Sequence, residues 1–204
     1  RFSPSYEGVI PEKKIEINDD TLMDAEQIAL GAFSPLEGFM NKMDFESVAN
    51  NMRLANGLVW TLPIALQVDE ETSNFLKGGE DVSLMYKNEV HAILHLDEIY
   101  RLNNKEEYSV KIFGTTDRTH PGVKKFLEGG DYFLGGKLTL LKRKSSEHKI
   151  HELTPIQTRK VFSERGWSKV LGFHTRNVIH RSHEFIQLEG MEKSLCDGLF
   201  VHPI

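Results

Sequence analysis

The chain has 204 residues, a net charge of -5 and the apolar and charged fractions of an ordinary soluble globular protein. That length suits one large domain or two small ones. The composition excludes a disulfide framework, since Cys196 is the only cysteine, and it argues against a duplex nucleic-acid binder, which carries a basic excess. No apolar run is long enough for a membrane-spanning helix, and no charged-then-apolar leader opens the sequence. The lone thiol fits a reducing cytoplasm, which is the expected location.

Taken in chain order, the first 150 residues read mostly as short strands with helical inserts. Helices are expected near Met23 to Leu30 and Phe45 to Met52, followed by a strand from Thr61 to Val68. Asp81 to Tyr86 and Val90 to Leu96 form a predicted hairpin around a three-residue loop, Lys87-Asn88-Glu89. Tyr108 to Phe113 and Lys137 to Leu141 read as further strands. Between them a helix runs from Pro121 to Leu127, opened by proline and closed by Gly129-Gly130. This order suggests a small barrel or curled sheet. The polar, mixed-charge stretch Lys142 to Lys149 reads as a domain boundary.

Beyond it the pattern changes. Thr154-Pro155-Ile156-Gln157 is a helix start with a capping box, and Ile156, Val161 and Phe162 are expected to form a buried face before Gly166 ends the helix. A strand is centred on Val170-Leu171, a polar loop spans His174 to Asn177, a helix runs from about Ile179 to Gly190, and a second strand holds Leu199-Phe200-Val201. Strand, loop, helix and strand make a βαβ unit, so a parallel sheet is expected, with ligands bound outside the carboxyl ends of its strands. The first residue is Arg1 and a sheet seldom ends on its second strand, so more protein is expected past Ile204.

The chemistry gathers between Lys169 and Glu184. In an acidic chain this segment is locally basic, with Lys169, Arg176, Arg181 and three histidines. A helix start there offers free N–H groups to an anion. Arg176 can grip a tetrahedral oxyanion through two parallel hydrogen bonds, and Thr175 and Asn177 add neutral donors. His180 and His183, three apart, are expected to share a helix face and to donate to several oxygens of a phosphate chain. This reads as an assembly for phosphoryl or nucleotidyl transfer. A loop arginine is more often a solvated charge, and histidines at this spacing are more often structural. A metal site is a second reading: His180, His183 and Glu184, with His174 or His202, could be ligands. The order is not His-Glu-x-x-His, however, and Arg181 would oppose a cation.

The run Gly172 to Glu184 resembles the ATP sulfurylase (sulfate adenylyltransferase) motif, Gln-Thr-Arg-Asn-Pro followed by His-x-x-His. His174 stands where many members have Gln and Val178 where many have Pro; Thr175-Arg176-Asn177 and both histidines are intact. Gly31 to Met40, Leu62 to Leu66, Gly114 to Val123 and Tyr132 to Gly136 are similar to further family segments. Physically these last are turns and packing, and Asp117 and His120 are best explained by a helix start at Pro121.

The resemblance implies an α+β/α/β chain. Residues 1–150 would be a pseudouridine-synthase-and-archaeosine-transglycosylase-like (PUA-like) β-barrel domain with helical inserts. Residues 151–204 would be the first βαβ part of a Rossmann-like nucleotidyltransferase domain. It implies conversion of ATP and sulfate to adenosine 5′-phosphosulfate and pyrophosphate, in sulfate assimilation or, in reverse, in dissimilatory metabolism. Thr175, Arg176 and Asn177 would be the catalytic loop, His174 and Arg176 would hold sulfate, and these four with His180 and His183 would contact ATP. No metal is expected on the protein itself; Mg2+ would arrive with ATP. A later Gly-Arg-Asp-His-Ala-Gly-like segment of the family is not in these residues, so half an active site is expected here, inactive alone, in a dimer at full length. A non-catalytic anion or nucleotide module and a PUA-type RNA binder remain as rival classes.

Overall fold

The computed structural model describes residues 2–147 and 151–203. It divides into two compact units at residue 150. The expected boundary, Lys142 to Lys149, falls there, with its last two residues outside those described.

The first unit is a mixed sheet dressed with helices. Its strands are β1 (Lys14–Glu16), β2 (Gly38–Phe39), β3 (Leu66–Val68), β4 (Glu80–Tyr86), β5 (Glu89–Arg101) and β6 (Tyr132–Leu140). The ladder order is β1-β4-β5-β6-β2, with β3 also on β6; of these strand pairs among the described residues only β1–β4 is parallel. Among the described residues five helices intervene: α1 (Asp19–Leu30), α2 (Lys42–Asn51), α3 (Glu70–Phe75), α4 (Lys105–Phe113) and α5 (Pro121–Glu128). Each begins where a polar side chain accepts from a free amide of the first turn: Asn18, Asn41, Asp69, Asn104 and His120 respectively. His120 is thus the cap before Pro121, and Asp117 accepts from the Thr119 amide in the preceding turn.

Phe45 of α2 centres the core. It is 1% exposed and meets Tyr108, Phe126 and Phe133 at ring separations of 5.7, 6.2 and 5.4 Å. Burying one such ring contributes roughly 1.5–3 kcal/mol. Tyr100 stacks on Phe133 and donates its hydroxyl to the Met40 carbonyl; burial pushes its phenol far above the usual range. Gly38 and Gly136 let β2 and β6 meet, because a Cβ on Gly38 would lie 1.7 Å from the Gly136 carbonyl oxygen. This explains two glycines of the family-like segments as close backbone approach.

Several expectations need correction. Tyr108 to Phe113 lies in helix α4, not a strand: Asn104 caps it, Glu106 and Glu107 suit its positive N-terminus, and Gly114 closes it at φ 76°. The hairpin loop is two residues, Lys87-Asn88, both at positive φ (51° and 64°), since Tyr86 pairs with Glu89. Of Thr61 to Val68 only Leu66–Val68 pairs, because Pro63 has no N–H for a ladder.

The second unit contains α6 (Pro155–Glu164), β7 (Val170–Thr175), α7 (Arg181–Ser194) and β8 (Gly198–Pro203). The capping box of Thr154 and Gln157 is present. The buried face expected on α6 is not: Ile156 is 75% exposed and no residue of the helix is buried. Phe162 instead packs at 5.9 Å on Trp167 and at 5.6 Å on Phe200. Strands β7 and β8 pair in parallel around α7, as the βαβ pattern requires.

Candidate active site

β7 carries the motif further into the strand than its polarity suggests. His174 and Thr175 are its last two residues, paired with His202 and Pro203, so the loop begins at Arg176 rather than at His174. A parallel partner holds their backbone groups, and this outweighs the turn preference of polar residues. Side chains alternate, so Thr175 is buried while His174 and Arg176 are exposed. The Thr175 hydroxyl accepts from the Asn177 amide at 3.0 Å and donates to the Asn177 carbonyl at 3.3 Å, fixing the turn out of the strand. That leaves the Arg176 guanidinium exposed, with no hydrogen bond or ion pair among the described residues.

His180 lies just outside α7 and not on it. It is the N-cap residue, in extended conformation at φ -135°, and its side chain makes no capping bond. All six other described helices have a side-chain cap; α7 alone offers its first amides uncovered. The expected pairing of His180 with His183 still forms, with ring centroids 3.9 Å apart. On its other side His183 meets Phe173 of β7 at 5.6 Å.

Four histidines thus fall into two pairs. His180 sits with His183, and His174 Nδ1 lies 2.8 Å from His202 Nδ1. Among the described residues no three His, Cys, Asp or Glu side chains gather in the manner of metal ligands. Two polar residues were missed or undervalued in the sequence. His202 entered only as an alternative ligand. Gln187 was not singled out, although it stands four residues after His183 on the buried face of α7. Its Nε2 and the Nδ1 of His183 are both buried without a hydrogen-bond partner among the described residues.

Asp197 anchors the start of β7. Its carboxylate accepts from the Ser168 and Lys169 amides and from the Ser168 hydroxyl. The Ser168 and Lys169 backbone bonds lower its pKa to about 2. A cavity of about 570 Å³ opens in the first unit, lined by Lys14, Gln67 and Asp69 among others and by no motif residue.

Known proteins supply the remaining observation. The PUA-like domain model matches residues 8–143. The chain belongs to the PUA-like domain family. The ATP-sulfurylase model matches residues 150–204, the unit that bears the histidine pairs. A sulfate adenylyltransferase of Staphylothermus marinus is 45% identical over 93% of this chain and 49% of its own length. One from Halothermothrix orenii is 43% identical over 94% and 50%. These matches bear out the resemblance read from Thr175-Arg176-Asn177 and His180-x-x-His183. The chain spans about half the length of the curated relatives it matches. In fold it is similar to a hexameric APS kinase from Thiobacillus denitrificans, with a TM-score of 0.72 at 21% identity over 94% of this chain and 34% of that one. No helix among the described residues is long and apolar enough to cross a membrane.

Proposed function

We propose that this chain supplies the N-terminal half of a sulfate adenylyltransferase, with residues 1–150 as a PUA-like barrel and residues 151–204 as the opening of the catalytic domain. The observation that carries the proposal is the exposed, unpaired Arg176 at the end of β7, followed by the uncapped start of α7. In this reading Arg176 and His174 hold sulfate. Thr175 shapes the turn that aims Arg176, Asn177 adds a donor, and the α7 start with His180 and His183 receives the phosphates of ATP. A sulfate oxygen attacks the α-phosphorus in line and pyrophosphate leaves, so no protein nucleophile is required. The residues supply placement and charge stabilisation. Mg2+ enters on the phosphates of ATP and needs no ligand set on this chain. The β-bulges at Leu84/Met85 and Leu96/Glu98, which bend and twist strands, support the barrel reading of the first sheet.

At full length we read the enzyme as a cytoplasmic homodimer. The reading rests on the lone thiol of these 204 residues and on Phe185, Ile186 and Leu188, exposed on α7, which offer an apolar face to a second copy. Incubating the chain, extended to its relatives' length, with ATP and radiolabelled sulfate tests the function. The label should appear in adenosine 5′-phosphosulfate; label that stays in sulfate while ATP is consumed would contradict it.

A further inference from the structure

We propose that His202 is a positioning residue for His174, holding it in the tautomer whose Nε2–H donates to the substrate oxyanion. The proposal rests on the sulfate-adenylating reading of this site. The parallel register sets His174 of β7 directly opposite His202 of β8, on one face of the sheet. Their rings lie 5.0 Å apart and nearly parallel, at 20°, with the two Nδ1 atoms 2.8 Å from each other. Two bare lone pairs would repel at that distance, and two N–H groups would collide. One Nδ1 therefore carries a proton and the other accepts it.

The two assignments have opposite consequences. If His174 were the donor, a neutral His174 would carry a bare lone pair on the Nε2 of its exposed ring, two residues from the exposed Arg176. An oxyanion would be repelled there. If His202 donates, the only proton of neutral His174 sits on Nε2, and the exposed ring at the strand end offers a donor two residues before the exposed Arg176. An anion selects the second arrangement, since only that one adds a favourable contact. His202 thereby removes the weakness of an imidazole in an anion site, which is that its donor can sit on the wrong nitrogen. A glutamine at position 174 would always carry its own amide donor and would need no such partner.

Nitrogen-labelled histidine NMR on the 204-residue chain with sulfate present tests the pairing. The expected result is a coupling across the hydrogen bond between the two Nδ1 atoms, with the His174 proton on Nε2. Independent ring signals, or a proton on His174 Nδ1, would overturn it. In the extended enzyme, His202→Phe keeps the ring and removes the donor. It should raise KM for sulfate about tenfold, the loss of one hydrogen bond to a charged site. That penalty should shrink to about twofold or less in a His174→Gln background. Equal penalties in both backgrounds would make His202 a packing residue and refute its positioning role. Turnover without the NMR coupling sinks the pairing alone; the coupling without sulfate-dependent turnover sinks the sulfate reading alone.

Discussion

Arg176 can be substituted without disturbing the fold, and this makes it informative. Its side chain is exposed and touches no partner among the described residues, so Arg176→Ala leaves no cavity. In the extended enzyme the substitution should cost about 3 kcal/mol or more in barrier, as removal of an oxyanion donor does. Unchanged thermal unfolding with a rate lowered at least a hundredfold is the expected pair of readings; a near-normal rate would make Arg176 a bystander. The histidines at α7 call for a different comparison. His180 and His183 lie close, their rings tilted by 30°, and each is expected to serve ATP through a hydrogen-bond donor. Alanine at either should raise KM for ATP well beyond the effect of asparagine, which keeps a donor. If both replacements were equally harmful and a chelator also removed activity, the histidines would be metal ligands instead.

At the scale of the element, Asp197 shows how a short βαβ unit is tied together. Three bonds from Ser168 and Lys169 reach one carboxylate and join the start of β7 to the turn before β8. Its pKa is depressed to about 2, below the ordinary 3.8. A depressed carboxylate stabilises the fold above its unfolded pKa, and that contribution fades as pH falls from about 4 through about 2. Asp197→Asn should therefore lower the unfolding temperature of the second unit at neutral pH, and the difference from the parent should close toward pH 2. Calorimetry at several pH values checks this; a difference independent of pH would assign the role to shape alone. The elements also show what a sequence discloses. Helix starts were legible where the capping signal was local, as at Thr154 and His120-Pro121. α4 was not, because Tyr108, Val110, Ile112 and Phe113 have strand-forming side chains, while the deciding signals, Asn104 and Gly114, flank the run. In α6 the apolar pattern reaches a neighbour through Phe162, against Trp167 and Phe200, while Ile156 stays exposed, so periodicity promised a burial that tertiary structure did not supply.

For the whole molecule, the two units differ in how much apolar surface they bury among the described residues. Every buried apolar side chain among the described residues belongs to the first unit, the last being Leu140. The second unit buries only Thr175, Gln187 and Gly198 and leaves Val178, Phe185, Ile186 and Leu188 exposed. The motif was legible because Thr175-Arg176-Asn177 and His180-x-x-His183 are contiguous in the chain. The His174–His202 contact was not, because 28 residues separate partners that only the parallel register brings together. Half the length of the relatives lies beyond what this chain matches, so sulfate adenylation is to be sought in the extended protein. The decisive experiment follows pyrophosphate release from ATP by that protein, with and without sulfate or the analogue molybdate. Release is expected only when the oxyanion is present, and is expected to be lost in Arg176→Ala. Steady release without an oxyanion, or none with it, would rule out sulfate adenylation at Arg176.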